Sequence, residues 1–167
     1  NDSLFLMDEV REGFYVPAMI KKSWAINLKI LEQIDRICKR HRIEYFAEWG
    51  TLLGAIRHGG FIPWDDDFDI GMTRENYRKF CAAAPKELPK GYGIQNIHTD
   101  DTFDLFLARV TSSMHISFEG EYLEQHYGFP YRDGIDIFVT DYIFSDEEKE
   151  QKRAAVCKKL LAIGDRI

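Results

Sequence analysis

The sequence predicts a single α/β (α+β) domain, a mixed β-sheet flanked by helices. Three observations predict it. A long stretch near the N-terminus repeats apolar residues at helical spacing. Two segments, DFDIGM at Asp67–Met72 and GIDIFVTDY at Gly134–Tyr142, alternate carboxylate and apolar residues as strands do. Helical and strand patterns interleave along the chain instead of segregating into halves. The 167 residues, 45% hydrophobic and 14% aromatic, suffice for one core and are too apolar for disorder, so residues 1–167 are read as one domain.

The elements follow in order. From Ala18 to Arg42, Trp24, Leu28, Leu31, Ile34 and Cys38 recur at steps of three and four, the mark of an amphipathic helix. IEYFAEW (Ile43–Trp49) reads as a short strand. TLLGAIRH (Thr51–His58) reads as a short helix, punctuated by Gly50 and by Gly59–Gly60. After the DFDIGM strand, Thr73 is placed as an N-cap and Glu75–Ala84 as a helix ended by Pro85. Residues 92–119 hold two or three strands by β-branched and aromatic content. GIDIFVTDY is the clearest strand, and SDEE (Ser145–Glu148) is a capping box opening a last helix.

Charge and cysteines bound the function. With 22 basic and 28 acidic residues the net charge is -6, which argues against general nucleic-acid binding. Cys38, Cys81 and Cys157 are widely spaced with no CxxC, so neither a zinc site nor a disulfide framework is expected, and a reducing compartment is the simpler reading. No apolar run is long enough for a transmembrane segment, and no signal-peptide pattern opens the chain.

The chemistry gathers in GGFIPWDDDFDIGM (Gly59–Met72). Asp65, Asp66, Asp67 and Asp69 fall within five positions between apolar flanks. Like charges about 4 Å apart repel by roughly 4 kcal/mol at an effective dielectric of ~20, so something must neutralise them. On a strand, Asp67 and Asp69 share a face with Cα atoms about 6.6–7 Å apart, while Phe68 and Ile70 face the core. Asp136, isolated in the apolar strand GIDIFV, is costly to bury unless paired, hydrogen-bonded or metal-bound. Three carboxylates from two neighbouring strands form a site for a hard divalent cation, and such a site suits phosphoryl transfer. A calcium loop of EF-hand type fails, because Ile70 stands where glycine is needed and Asn76 where glutamate is needed.

Just upstream, Gly50 and Thr51 open a helix whose N–H groups suit phosphate, with the Thr51 hydroxyl as a further donor. Arg57 at the other end of that helix is read as a phosphate contact or as a charge complementing the helix dipole. For Arg109, in FLARVTSS, a phosphate contact and a structural ion pair both stay open. Asp65 and Asp66 bind a second cation or cap the strand. Trp64 stacks on a base or packs under its loop. Tyr127, Phe129 and Tyr131 offer aromatic faces to a quaternary ammonium or simply pack.

These residues resemble the LicD family of the nucleotidyltransferase-fold superfamily. WGT (Trp49–Thr51), DFD (Asp67–Asp69) and Asp136 match the superfamily pattern of a glycine turn, an Asp-x-Asp strand and a later carboxylate. The string GTLLGAIRHGGFIPWDDDFDIGM is similar to the LicD signature nearly residue for residue, and GIDIFVTDY to a later family block. The similarity covers roughly residues 24–142. It implies a nucleotidyltransferase-like mixed sheet and transfer of a substituted phosphate from a cytidine diphosphate (CDP)-activated donor to a sugar hydroxyl. Bacterial members resemble phosphocholine transferases that use CDP-choline to decorate teichoic acid or lipopolysaccharide. Relatives such as fukutin and fukutin-related protein transfer ribitol phosphate.

By the resemblance, Asp67 and Asp69 hold Mg²⁺, with Mn²⁺ as the alternative. Asp136 is a third ligand or the base for the acceptor hydroxyl, and Asp65 extends the metal set. Gly50, Thr51, Arg57 and Arg109 would contact the donor. The acceptor is a glycan or glycolipid, no nucleic acid is involved, and the protein works in the cytoplasm at the inner face of the membrane. Family chains usually run longer, so acceptor-binding parts are expected outside this sequence. Rivals are a ribitol-, glycerol- or mannose-phosphate transferase on the same scaffold, a non-catalytic binding module, and a true nucleotidyltransferase.

Overall fold

The computed structural model describes residues 2–164. In chain order the elements are α1 (Asp2–Phe5), β1 (Glu9–Arg11), β2 (Phe14–Val16), α2 (Ala18–His41), β3 (Phe46–Ala47), α3 (Trp49–Arg57) and β4 (Asp69–Thr73). Then come α4 (Arg74–Glu87), β5 (Gly93–Asn96), β6 (Leu107–Thr111), α5 (Gly120–Gln125), β7 (Gly134–Thr140) and α6 (Glu147–Gly164). Five strands form one mixed sheet in the order β3-β4-β7-β6-β5, and β1 and β2 form a separate hairpin. Only the β4–β7 pair is parallel; its neighbours run antiparallel.

The alternation expected of the strands divides the sheet into two unlike faces. Ile70 and Met72 of β4, Ile135 and Ile137 of β7, and Ala108 and Val110 of β6 are all buried on one face. There they meet Ile26, Ile30, Ile34 and Ile37 of α2 and Tyr77, Phe80 and Ala84 of α4. Burying an isoleucine fully contributes about 1.5–3 kcal/mol, so this face sustains the fold. The opposite face carries Asp69, Asp136 and Arg109.

Helix α2 begins where expected. Its first N–H, on Ala18, is capped by Asp8 Oδ1 at 2.5 Å from the preceding hairpin. It ends at Arg42, which takes the left-handed conformation (φ 53) with its N–H on Cys38 O. Of the expected stripe, Trp24, Ile34 and Cys38 are buried and Leu31 packs against the core, whereas Leu28 is 46% exposed and Ile26, Ile30 and Ile37 are buried beside them. Lys21 is buried at 2% exposure, and its Nζ meets Glu9 Oε2 at 2.6 Å, tying the hairpin to α2.

Other differences have local causes. The strand expected over 43–49 contracts to β3, because Ile43 is drawn under the end of α2 by its N–H bond to Cys38 O (2.9 Å). Asp67 then precedes β4 instead of lying within it. Helix α4 runs through Pro85 to Glu87; the proline falls in the last turn, and Leu88 N–H closes on Ala84 O at 2.9 Å. Thr73 occupies the N-cap position of α4, but its hydroxyl makes no capping bond. The last helix is capped by Asp146, whose Oδ1 accepts from Lys149 N–H at 3.0 Å, one residue later than the Ser145 expected. Residues 92–119 hold two strands.

Candidate functional site

The site is a row of charges across the open face of the sheet. Asp69 and Asp136 are register partners in the parallel β4–β7 pair. Arg109 of β6 stands opposite Asp136, and Gln95 of β5 opposite Arg109. Glu48 extends the row at the other end, since its N–H continues the β3–β4 ladder onto Asp69 O at 3.2 Å. Directly opposed residues on one face have Cβ atoms about 4.5–5.5 Å apart. Three carboxylates therefore stand side by side, answered by one guanidinium.

Arg109 grips Asp136 with both arms, Nε to Oδ1 at 2.5 Å and Nη2 to Oδ2 at 2.7 Å. Of the two readings open for Arg109, the structure displays the ion pair. The pair also lines a cleft of about 180 Å³ together with Asp67, Asp69, Thr111, Arg132 and Asp133, so the guanidinium faces the same space as the carboxylates.

The carboxylates feel one another. Burial first, and then the charges of Asp136, Asp67, Asp65 and Glu48, push the Asp69 carboxyl up to about 6 from the ordinary 3.8. Asp67 is raised as well, by burial and then by Asp66, Asp65 and Asp136, with Arg109 pulling the other way. Oxygens of Asp65, Asp66 and Asp67 lie within 4.8 Å of one another, close enough to share an ion. The tightest cluster among the described residues is thus this loop triad. The expected set of Asp67, Asp69, Asp136 and Asp65 shares two members with it, and Asp69 and Asp136 border it in the cleft.

The loop bearing these acids is held from three sides. The indole N–H of buried Trp24 donates to Asp65 O at 2.8 Å, and Asn27 Nδ2 reaches Asp66 O at 3.5 Å. The N–H of Asp136 donates to Phe68 O at 3.1 Å. Thr51 Oγ1 accepts the Asp69 N–H at 2.8 Å, so this hydroxyl fixes the strand that presents Asp69. Gly50 lies under the Asp65 carboxylate: a Cβ there would overlap Asp65 Oδ2 and displace it. The start of α3, expected to meet phosphate, therefore already faces a carboxylate. Gly71 is likewise overhung by the Phe46 ring and Glu48 Oε2.

Some expected residues do not reach the cleft. Arg57 lies at the far end of α3, exposed, with its Nε on His58 Nε2 at 3.0 Å. Trp64 is 57% exposed and packs edge-on against Phe14 and His58. Phe129 is core, Tyr131 packs against it, and the Tyr127 ring receives Lys29 Nζ at 4.1 Å.

Two cleft residues, Arg132 and Asp133, and Glu48 at the end of the charge row carry no role in the sequence reading. Glu48 falls in the strand expected over 43–49, and its Oε2 is buried with no hydrogen-bond partner among the described residues. Arg132 lines the cleft and donates to Gln95 Oε1 at 2.7 Å. Asp133 accepts from Ser23 Oγ and from Gly134 N–H at 2.9 Å, and burial pushes its carboxyl up. Their only sequence signal is adjacency to the glycine turn and to the start of β7.

Residues 42–160 match the family model described as LicD/FKTN/FKRP, nucleotidyltransferase domain. The chain is 37% identical over 95 residues to the lipopolysaccharide cholinephosphotransferase LicD of Haemophilus influenzae, covering 57% of this chain and 34% of that protein. It is 37% identical over 78 residues to an uncharacterized protein of Rickettsia typhi, covering 46% of this chain and 25% of that one. With human ribitol 5-phosphate transferase FKRP it shares 53% identity over 34 residues, covering 20% of this chain and 7% of the other. The matches thus span 34% or less of these relatives' own lengths. No helix among the described residues is long and apolar enough to cross a membrane.

Proposed function

The chain belongs to the LicD/FKTN/FKRP nucleotidyltransferase-domain family, and we propose that it transfers a substituted phosphate from a CDP-activated donor to a sugar hydroxyl. The observation that carries this is the convergence of Asp67, Asp69, Asp136 and Arg109 on one cleft. The donor read first is CDP-choline, as in the similar cholinephosphotransferase. Ribitol 5-phosphate is the second reading, carried by the short stretch shared with FKRP. The acceptor is a cell-surface glycan or glycolipid of lipopolysaccharide or teichoic acid type. The place of action is the cytoplasm, at the inner face of the membrane.

The residues fit a hard divalent ion such as Mg²⁺. The donor set is all carboxylate oxygen, the oxygens of Asp65, Asp66 and Asp67 approach within 4.8 Å, and the Asp69 carboxyl is raised by burial and then by the neighbouring carboxylates. Asp67 and Asp69 would hold it, with Asp65 or Asp136 completing the set. When bound, such an ion neutralises the donor diphosphate.

This chain's own residues do the rest. Arg109 and Arg132 face the cleft and supply positive charge where the phosphates would lie. Arg109 also keeps Asp136 fixed, so the row is preorganised before substrate arrives. The acceptor oxygen forms a bond to the phosphorus bearing the transferred group, and the bond to cytidine monophosphate breaks. The hydroxyl proton passes to a carboxylate of the row, and cytidine monophosphate leaves.

Calorimetric titration of CDP-choline with and without Mg²⁺, beside Asp67→Ala and Asp69→Ala, tests this. Binding that needs the ion and disappears in both variants is expected. Equal binding by wild type and both variants would sink the metal assignment. Release of pyrophosphate, or nucleotide found on the acceptor, would instead indicate a nucleotidyltransferase.

A further inference from the structure

The loop that carries Asp65, Asp66 and Asp67 borders a void. Beside it lies an apolar pocket of about 170 Å³, walled by Leu28, Ala55, Phe61, Ile62 and Phe68. A void offers no partner atoms, so it cannot hold the loop against the mutual repulsion of its carboxylates. Part of the hold comes instead from the β1–β2 hairpin, which lies outside the residues matched by the family model. Three contacts reach from it. Phe14 meets Trp64, the residue before Asp65, edge to face at 5.7 Å and 66°. Glu12 Oε1 accepts from His58 Nδ1 at 2.9 Å, and the His58 ring stands edge-on to Trp64 at 5.7 Å. The Arg11 guanidinium lies 5.3 Å from the centre of the Trp24 ring, whose N–H holds Asp65 O.

We infer that the hairpin is a strap on the acid loop, and that Arg11, Glu12 and Phe14 are positioning residues for the carboxylates of Asp65, Asp66 and Asp67. That these carboxylates serve an ion rests on the metal reading above. The strap is itself anchored. Asp8 caps α2, and Glu9 takes both Lys21 Nζ and Arg11 Nη2 at 2.6 Å. Lys21 is 2% exposed, so the hairpin cannot leave α2 without stranding a buried ammonium. The turn points the same way. Glu12 at φ 53 and Gly13 at φ 80 are its two central residues. Such a turn asks for positive φ at both, where glycine, asparagine and aspartate are at ease and glutamate is not. What glutamate adds is a side chain that reaches His58, whose own side chain is 4% exposed. Arg57 Nε donates to His58 Nε2 at 3.0 Å, so the ring hydrogen sits on Nδ1 and is directed at Glu12. Arg57, remote from the cleft, thus fixes the tautomer that the strap grips.

The test compares wild type with Glu12→Gly, Phe14→Leu and Val10→Ser. Hydrogen exchange reads residues 58–66, and Mn²⁺ titration followed by electron paramagnetic resonance reads the ion. Glu12→Gly relaxes the turn while releasing His58, so a looser loop cannot be blamed on a ruined hairpin. Phe14→Leu keeps apolar bulk and removes the ring edge. Val10→Ser, 71% exposed and on the face of β1 opposite Arg11, lowers only strand propensity. In the first two variants the N–H groups of Gly60 and Asp65, bonded in wild type to Gly54 O and Ile62 O, should exchange about fivefold faster or more. Mn²⁺ should bind about threefold to tenfold more weakly. Val10→Ser should change neither. Equal effects of Val10→Ser overturn the strap, because the loop would then follow hairpin stability in general. Unchanged exchange in both Glu12→Gly and Phe14→Leu overturns it too. Faster exchange with unchanged Mn²⁺ affinity overturns the positioning role. If wild type itself fails to bind Mn²⁺, the metal reading falls, and exchange alone decides the strap.

Discussion

Asp69 and Asp136 stand directly opposite each other across the only parallel strand pair of the sheet. Their carboxylates are neighbours on the open face, and one of them is clasped by Arg109. The other forms no salt bridge among the described residues, and burial and its carboxylate neighbours push it up to about 6. This asymmetry underlies the predictions below.

Asp69→Asn should stabilise the metal-free protein. A carboxyl raised from 3.8 to about 6 contributes stability that is fully present below about pH 4 and lost as pH rises through 6. At pH 7 the ionised group is therefore a liability, which the carboxamide removes. Allowing for solvent screening, the gain is on the order of 1 kcal/mol. Thermal unfolding in chelator should show a higher Tm for the variant at pH 7 and convergence near pH 4. A variant less stable than wild type at both pH values would contradict the charge argument.

Arg109→Met should destabilise by about 1–3 kcal/mol, because it leaves the half-buried Asp136 without its partner. Adding Asp136→Asn should restore part of the loss. The urea midpoints of the single and double variants measure this. Strictly additive losses would mean that the pair is only a surface contact.

Gly50→Ala should spare the fold and damage the proposed ion site. Alanine suits a helix better than glycine, but its Cβ would displace Asp65. Loss of such a supporting contact costs about tenfold or more in ion affinity. Mn²⁺ titration followed by electron paramagnetic resonance reads this directly, and unchanged affinity would remove Asp65 from the ligand set.

Thr51→Val and Thr51→Ser should diverge. Valine keeps the shape but leaves Asp69 N–H unpaired, at about 1–3 kcal/mol. Serine keeps the acceptor. Equal urea midpoints for the two variants would show that the hydroxyl acts on substrate alone and not as a strut for β4.

Much of this was legible before folding because it is local. The helical stripe of α2, the alternation of GIDIFVT in β7 and the carboxylates at 65–69 depend on residues a few positions apart. Asp67, Asp69 and Asp136 could be singled out because charge beside apolar runs is costly at any distance. Local reasoning failed where a neighbour outside the segment intervened. Ile43 was claimed by the end of α2, and Leu28 faces the pocket beside Phe61 instead of the core.

The sequence by itself determined where the carboxylates cluster, at the head of one strand, within another, and in a glycine-flanked loop. Only the tertiary structure decided their partners. The row from Glu48 through Asp69 and Asp136 to Arg109 draws on the N-cap of α3 and on three strands separated by up to dozens of residues. Its order follows from β7 pairing between β4 and β6, which no local pattern specifies. The same pairing committed Arg109 to Asp136 and left Arg57 outside the cleft. The apolar pocket beside Asp67 arises only where α2, α3 and the 60–68 loop meet. Register and packing are long-range choices, set by which faces must be buried together, and they place groups that periodicity can only name.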